Sequence, residues 1–146
     1  MTDLVDRALR LWVQPLPEGE AALTLFRGVY ADPVVVNGET TPLQVLVDRA
    51  RMMQGAFEGL THDVHVRMEG PGRKAFAFHL SGRHAGPLVT PLGELAPTGL
   101  PLELMGMDIF EVDDERDLVT GVWAVADQLG LLVQAGAVTM VEPRRS

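Results

Sequence analysis

Three side chains have the type and setting for proton transfer: Asp127, Asp108 and His84. Asp127 follows the apolar run Val122-Trp123-Ala124-Val125-Ala126. A carboxylate at the end of such a strand is partly desolvated. Loss of water penalises the ionised form and raises the pKa towards working pH, which suits a general base that must later return its proton. The structural alternative is a strand-end carboxylate that caps a helix starting at Gln128. Asp108 stands between Met107 and Ile109 and shares strand parity with Phe110 and Val112. A buried carboxylate needs a donor, a proton or a role. If it shares a pocket with Asp127, mutual repulsion splits the two pKa values and leaves one acid and one base. The alternative is an ion pair with an arginine such as Arg51. His84 shares parity with Phe76, Phe78 and Leu80, so it is read as inward. There an imidazole either donates to a developing enolate oxygen or is satisfied by backbone groups.

Candidates for substrate contact are Trp12, Tyr30, Asn37, Met53, Phe57 and Trp123. Tyr30 and Asn37 would orient a ligand oxygen, and methionine adapts to irregular apolar ligands. Plain core packing is the alternative for each apolar one. Other chemistries find no support. Ser81 has no Gly-x-Ser-x-Gly context, and no phosphate-cradling or dinucleotide glycine loop is present. The chain has no cysteine, and its four histidines show no metal-ligand spacing, so no metal site is expected.

These residues need a scaffold. A chain of 146 residues, 47% hydrophobic, fits a single domain over 1–146 with a real core. The net charge of −8, with no basic cluster, argues against nucleic acid and anionic membranes. No apolar run reaches membrane-spanning length, and the start Met1-Thr2-Asp3 is acidic where a secretory signal is basic. A cytoplasmic location is the expectation. The apolar spacing predicts helices over Thr2–Val13, with Thr2 as N-cap, and over Glu18–Val29. A short strand follows at Val34–Asn37. Thr41-Pro42-Leu43-Gln44 reads as a capping box opening a third helix, with a stripe from Leu43 to Phe57 and Gly59 as its stop. From residue 60 the period becomes two, with Val64, Val66 and Met68 on one side. A turn at Gly70-Pro71-Gly72 leads to a strand over Lys74–Gly86, a loop over Pro87–Pro97, a strand over Leu100–Val112, a hairpin at Asp113–Asp117 and a last strand over Leu118–Asp127. Gln128–Val138 is a short tail of helix or coil. The prediction is an α+β fold, a curved antiparallel sheet packed on about three N-terminal helices and enclosing a cone whose open end is a ligand pocket.

Several segments, in order, carry a resemblance: Phe26-Arg27-Gly28-Val29-Tyr30-Ala31-Asp32, Gly82-Arg83-His84-Ala85-Gly86, Pro97-Thr98-Gly99, Met107-Asp108-Ile109-Phe110, and the run from Trp123 through Asp127 to Leu132. Together they resemble the SnoaL-like polyketide cyclase family, within the nuclear-transport-factor-2-like folds. The resemblance implies an α+β cone, often a homodimer or homotetramer. It also implies a hydrophobic polyketide-like substrate from secondary metabolism such as antibiotic biosynthesis, and ring closure without a cofactor. It assigns the acid/base to an aspartate near the end of the last strand, matched by Asp127, and substrate-holding polar groups to the preceding strand, matched by Asp108. Aldol-type members carry an amide and an imidazole two apart on that strand, where this chain has Gly106 and Asp108. Relatives on the same fold open epoxides, isomerise or dehydrate, and a non-catalytic binding module is the third reading.

Overall fold

The computed structural model describes residues 3–139 and residue 141. Helix α1 (Leu4–Val13) buries Leu4, Val5, Ala8 and Leu9, and α2 (Glu20–Arg27) buries Ala22 and Phe26. Asp3 stands at the N-cap of α1; the Thr2 cap expected from the sequence lies outside the described residues. Strand β1 (Tyr30–Val36) turns back at Asn37-Gly38 into β2 (Glu39–Thr41), which the sequence pattern had not separated.

Helix α3 (Leu43–Ala56) starts without the expected capping box. Pro42 is its N-cap, Thr41 belongs to β2, and Gln44 donates to Asp48 instead. The Asp32 carboxylate accepts from the Leu43 N–H at 3.2 Å and takes the capping role from eleven residues away. The helix stops at Ala56, before Gly59, and Phe57 already opens β3 (Phe57–Gly70). Gly59 sits within that strand at φ 64°. The expected inward set on β3 is only partly observed. A register shift between Val64 and Val66 changes strand parity, so Val66 and Met68 face outwards.

Strand β4 (Arg73–His84) follows the turn and buries Phe76, Phe78 and Leu80 as its alternation predicts. The segment read as a loop holds a small hairpin, β5 (Leu88–Thr90) with β6 (Gly93–Leu95). Strands β7 (Pro101–Asp113) and β8 (Leu118–Ala126) then lead to α4 (Gln128–Gln134). The six-stranded sheet runs β2-β1-β8-β7-β4-β3. Its four long strands form the expected antiparallel meander, and β1 joins in parallel beside β8. The first three helices cover one face of this curved sheet, giving an α+β cone.

Candidate active site

The site begins with the pleat of β7. Period-two alternation points Leu104, Gly106, Asp108 and Phe110 towards the helices and Met105, Met107 and Ile109 away. Asp108 lies opposite Phe76 on β4 and Ala124 on β8, so its sheet neighbours are a ring and a methyl group. Its carboxyl is half-buried and has no hydrogen-bond or ion-pair partner among the described residues. Arg51, the counter-ion considered from the sequence, donates to Pro17 O and Gly19 O instead. Burial without a compensating donor disfavours the charged form and pushes the Asp108 carboxyl up to about 7.

Asp108 opens on a cavity of about 330 Å³ between α1, α3 and the sheet. Its walls are largely apolar, with Leu9, Leu46, Met53, Leu80 and Val122 among them. Phe78 forms part of the wall and fills the space in front of Gly106. A Cβ at Gly106 would stand 2.6 Å from the Phe78 ring, so any side chain there requires Phe78 to move.

The polar groups on the wall are few: Trp12, Tyr30, Arg49, Asp108 and Gln128. Gln54 fixes the end of α1 by donating to Leu11 O and Trp12 O at 3.0 and 3.1 Å, which positions Trp12. The Trp12 indole N–H donates to the Tyr30 hydroxyl at 3.2 Å. An indole can only donate, so the Tyr30 oxygen accepts and its own proton is left for another acceptor. Burial raises the pKa of Tyr30 above the ordinary phenol range; the Trp12 hydrogen bond opposes this and the nearby Asp108 charge adds to it. The phenol is therefore a neutral donor, strengthened by the hydrogen bond that it accepts.

A family model described as SnoaL-like polyketide cyclase matches residues 9–135. The chain belongs to the SnoaL-like polyketide cyclase family. No curated protein matches it significantly. TsrD from Streptomyces laurentii is similar in structure, with a TM-score of 0.74, 20% identity, and coverage of 92% of this chain and 93% of that one. AclR from Streptomyces galilaeus, named as a candidate hydroxylase, has a TM-score of 0.70 at 19% identity, covering 95% and 88%. A SnoaL-like polyketide cyclase from Agrobacterium tumefaciens has a TM-score of 0.67 at 16% identity, covering 92% and 98%. At these identities the likeness concerns the fold.

Within this SnoaL-like cone, four of the nine residues singled out from the sequence line the cavity: Asp108, Trp12, Tyr30 and Met53. The other five do not. Asp127 is exposed, corrects the expectation that it faces the cavity, and matches its structural alternative. It is the N-cap of α4, its carboxylate accepts the Gly130 N–H at 2.8 Å, and it packs so closely that a Cβ on Gly130 would meet it at 2.3 Å. His84 is inward, as its parity requires, but fully buried against the Phe57 ring and outside the cavity lining. Its Nδ1 accepts the Thr98 N–H at 3.2 Å, and its backbone pairs with Gly99 and Leu100. It therefore clasps the Pro97-Thr98-Gly99 segment to β4. Phe57 packs in a second core cluster with Leu102. Asn37 turns its amide to the Ala124 backbone, accepting at 2.8 Å and donating at 3.3 Å, and so extends the β1–β8 ladder. Trp123 points out of the opposite sheet face, half exposed.

Arg49 and Gln128 were missed. Arg49 follows Leu46 by three residues and precedes Met53 by four on α3, so helical spacing alone puts it on the stripe that meets the cavity. A histidine pair was missed too: His65 Nε2 and His79 Nδ1 approach to 2.6 Å across β3 and β4, on the outer face. Among the described residues no group of three or more His, Asp or Glu side chains is placed to hold a metal ion.

Proposed function

We propose that this chain is a cofactor-independent polyketide cyclase-type enzyme in which Asp108 is the acid/base that drives ring closure of a polyketide-like substrate. One observation carries the reading: a solitary half-buried carboxyl, pushed up to about 7, opens on an apolar cavity beside a phenol with an uncommitted proton. A base with that pKa is about half deprotonated at neutral pH and still basic enough to act. Asp108 removes a proton from a carbon next to a substrate carbonyl. The electron pair moves onto that carbonyl oxygen, and the Tyr30 hydroxyl donates a hydrogen bond to the enolate oxygen. The nucleophilic carbon attacks a second carbonyl of the same chain, forming the ring bond. The new alkoxide takes the proton back from Asp108, so the enzyme ends as it began. The apolar wall folds the substrate and excludes water from the enolate.

The test follows ring closure of poly-β-ketone substrates by mass spectrometry with wild type, Asp108→Asn and Asp127→Asn. Asp108→Asn is expected to lower turnover by about 10²–10⁴-fold, the usual worth of a general base. Asp127→Asn is expected to stay within a few-fold, since asparagine also caps helices. Full activity in Asp108→Asn, or its loss in Asp127→Asn alone, would return the acid/base role to the strand-end carboxylate.

We also infer a homodimer or homotetramer formed through the outer face of the sheet. Two apolar rows support this, Val66-Ala77-Met107-Val125 and Met68-Ala75-Ile109-Trp123, running across four strands and left exposed among the described residues. A contiguous apolar patch of this kind is uncommon on a monomer.

A further inference from the structure

Among the described cations, Arg10, Arg49 and Arg116 form no ion pair and no side-chain hydrogen bond, and of these three only Arg49 lines the cavity. Arg7, Arg27, Arg67, Arg73, Lys74 and Arg83 all pair with carboxylates, and Arg51 donates to two backbone carbonyls. Arg49 has neither an ion pair nor a side-chain hydrogen bond among the described residues. It is exposed, yet it lines the cavity, one helical turn from Leu46 and one from Met53. Among the described residues it is the only cationic side chain on that wall, as Asp108 is the only anionic one, and the two do not pair with each other.

Such an arrangement gives the cavity two chemically different groups: Arg49 is exposed to solvent and Asp108 is half-buried. A protein of net charge −8 repels anions in general, so an anion at this cavity needs a local cation. A guanidinium presents paired N–H donors that match a carboxylate in a bidentate manner. At the rim the carboxylate can keep part of its water and avoid the cost of full burial.

We propose that Arg49 is a specificity-determining residue that selects substrates carrying a free carboxylate and holds that group at the rim, so that the apolar body enters with its reacting carbon towards Asp108. The inference rests on the reading of the cavity as the substrate site. It implies that a preceding reaction delivers the substrate as a free acid, by hydrolysis of an ester or thioester, because a neutral ester leaves Arg49 without its partner.

The test is calorimetric binding of 2-naphthoate and its neutral counterpart 2-naphthamide at pH 6, where Asp108 is largely protonated. Arg49→Gln keeps a good helix former at an exposed position, and an unchanged unfolding temperature checks the fold. The substitution is expected to weaken naphthoate by about tenfold and naphthamide by less than twofold, with the naphthoate affinity of wild type falling as salt rises. Arg49→Lys is expected to recover part of the loss. Equal weakening of both compounds, or no change in naphthoate, would overturn the role of Arg49 while leaving the cavity as the binding site. Failure of wild type to bind either compound would overturn both the role of Arg49 and the cavity reading.

Discussion

Asp108 is held in tension by its surroundings. Phe76 and Ala124 beside it provide no donor, and the carboxyl is raised to about 7. Its effect on stability has a definite sign. The folded pKa lies above the value of roughly 4 in the unfolded chain, so the folded state keeps its proton longer. Below pH 4 both states are protonated and the site costs nothing extra. Between about 4 and 7 stability falls as pH rises, and above 7 the full cost is present. Asp108→Asn is therefore expected to match wild type near pH 4 and to be more stable by about 1–3 kcal/mol at pH 8.5, the full shift being discounted because the group opens on the cavity. Urea unfolding at the two pH values measures this, and a pH-independent difference would contradict it. Wild-type kcat/KM should rise with pH through an acid limb near 7, as the base loses its proton.

At the level of elements, β8 and α4 show how a strand end is converted into a cap. The Asp127 N–H donates to Met105 O at 2.8 Å, ending the β7–β8 ladder, while its carboxylate turns to Gly130. Helix α4 is then anchored by Leu131 and Leu132 in the core and by Gln134, whose amide brackets the Glu103 backbone at 2.8 and 3.0 Å. Asp127→Ala is expected to cost about 1 kcal/mol of stability through loss of the cap while leaving turnover within a few-fold. Thermal unfolding and a turnover assay on the same sample check both halves. Elements with strong periodicity were legible beforehand: β4 alternates as Phe76, Phe78 and Leu80 require, and α3 carries its Leu43-Leu46-Val47-Ala50 face. β3 was legible as a strand but not in its facing, because the irregularity after Val64 is invisible to a simple period-two pattern.

For the whole molecule the two faces of the sheet divide the work. The inner face closes the cavity; the outer face exposes Val125, Met107 and Met68 at 75%, 58% and 67%. Sedimentation of the purified chain is expected to show a dimer or tetramer, and Met107→Glu to shift it towards monomer; a monomeric wild type would remove this inference. The sequence by itself determined the helix stripes, the inward parity of Asp108 and His84, the meander, and hence the fold class. These depend on contacts between near neighbours along the chain, which periodicity records. Only the tertiary structure decided that β1 lies parallel to β8, that Asn37 spends its amide on Ala124, and that His84 is buried against Phe57 outside the cavity lining. It also placed the two carboxylates differently. Asp108 meets the cavity because the pleat of β7 turns it towards the helices, and Asp127 leaves it because the chain turns at Gln128 and presents an N–H to cap. Parity says which side of a sheet a residue faces, but what stands there is set by elements distant in sequence.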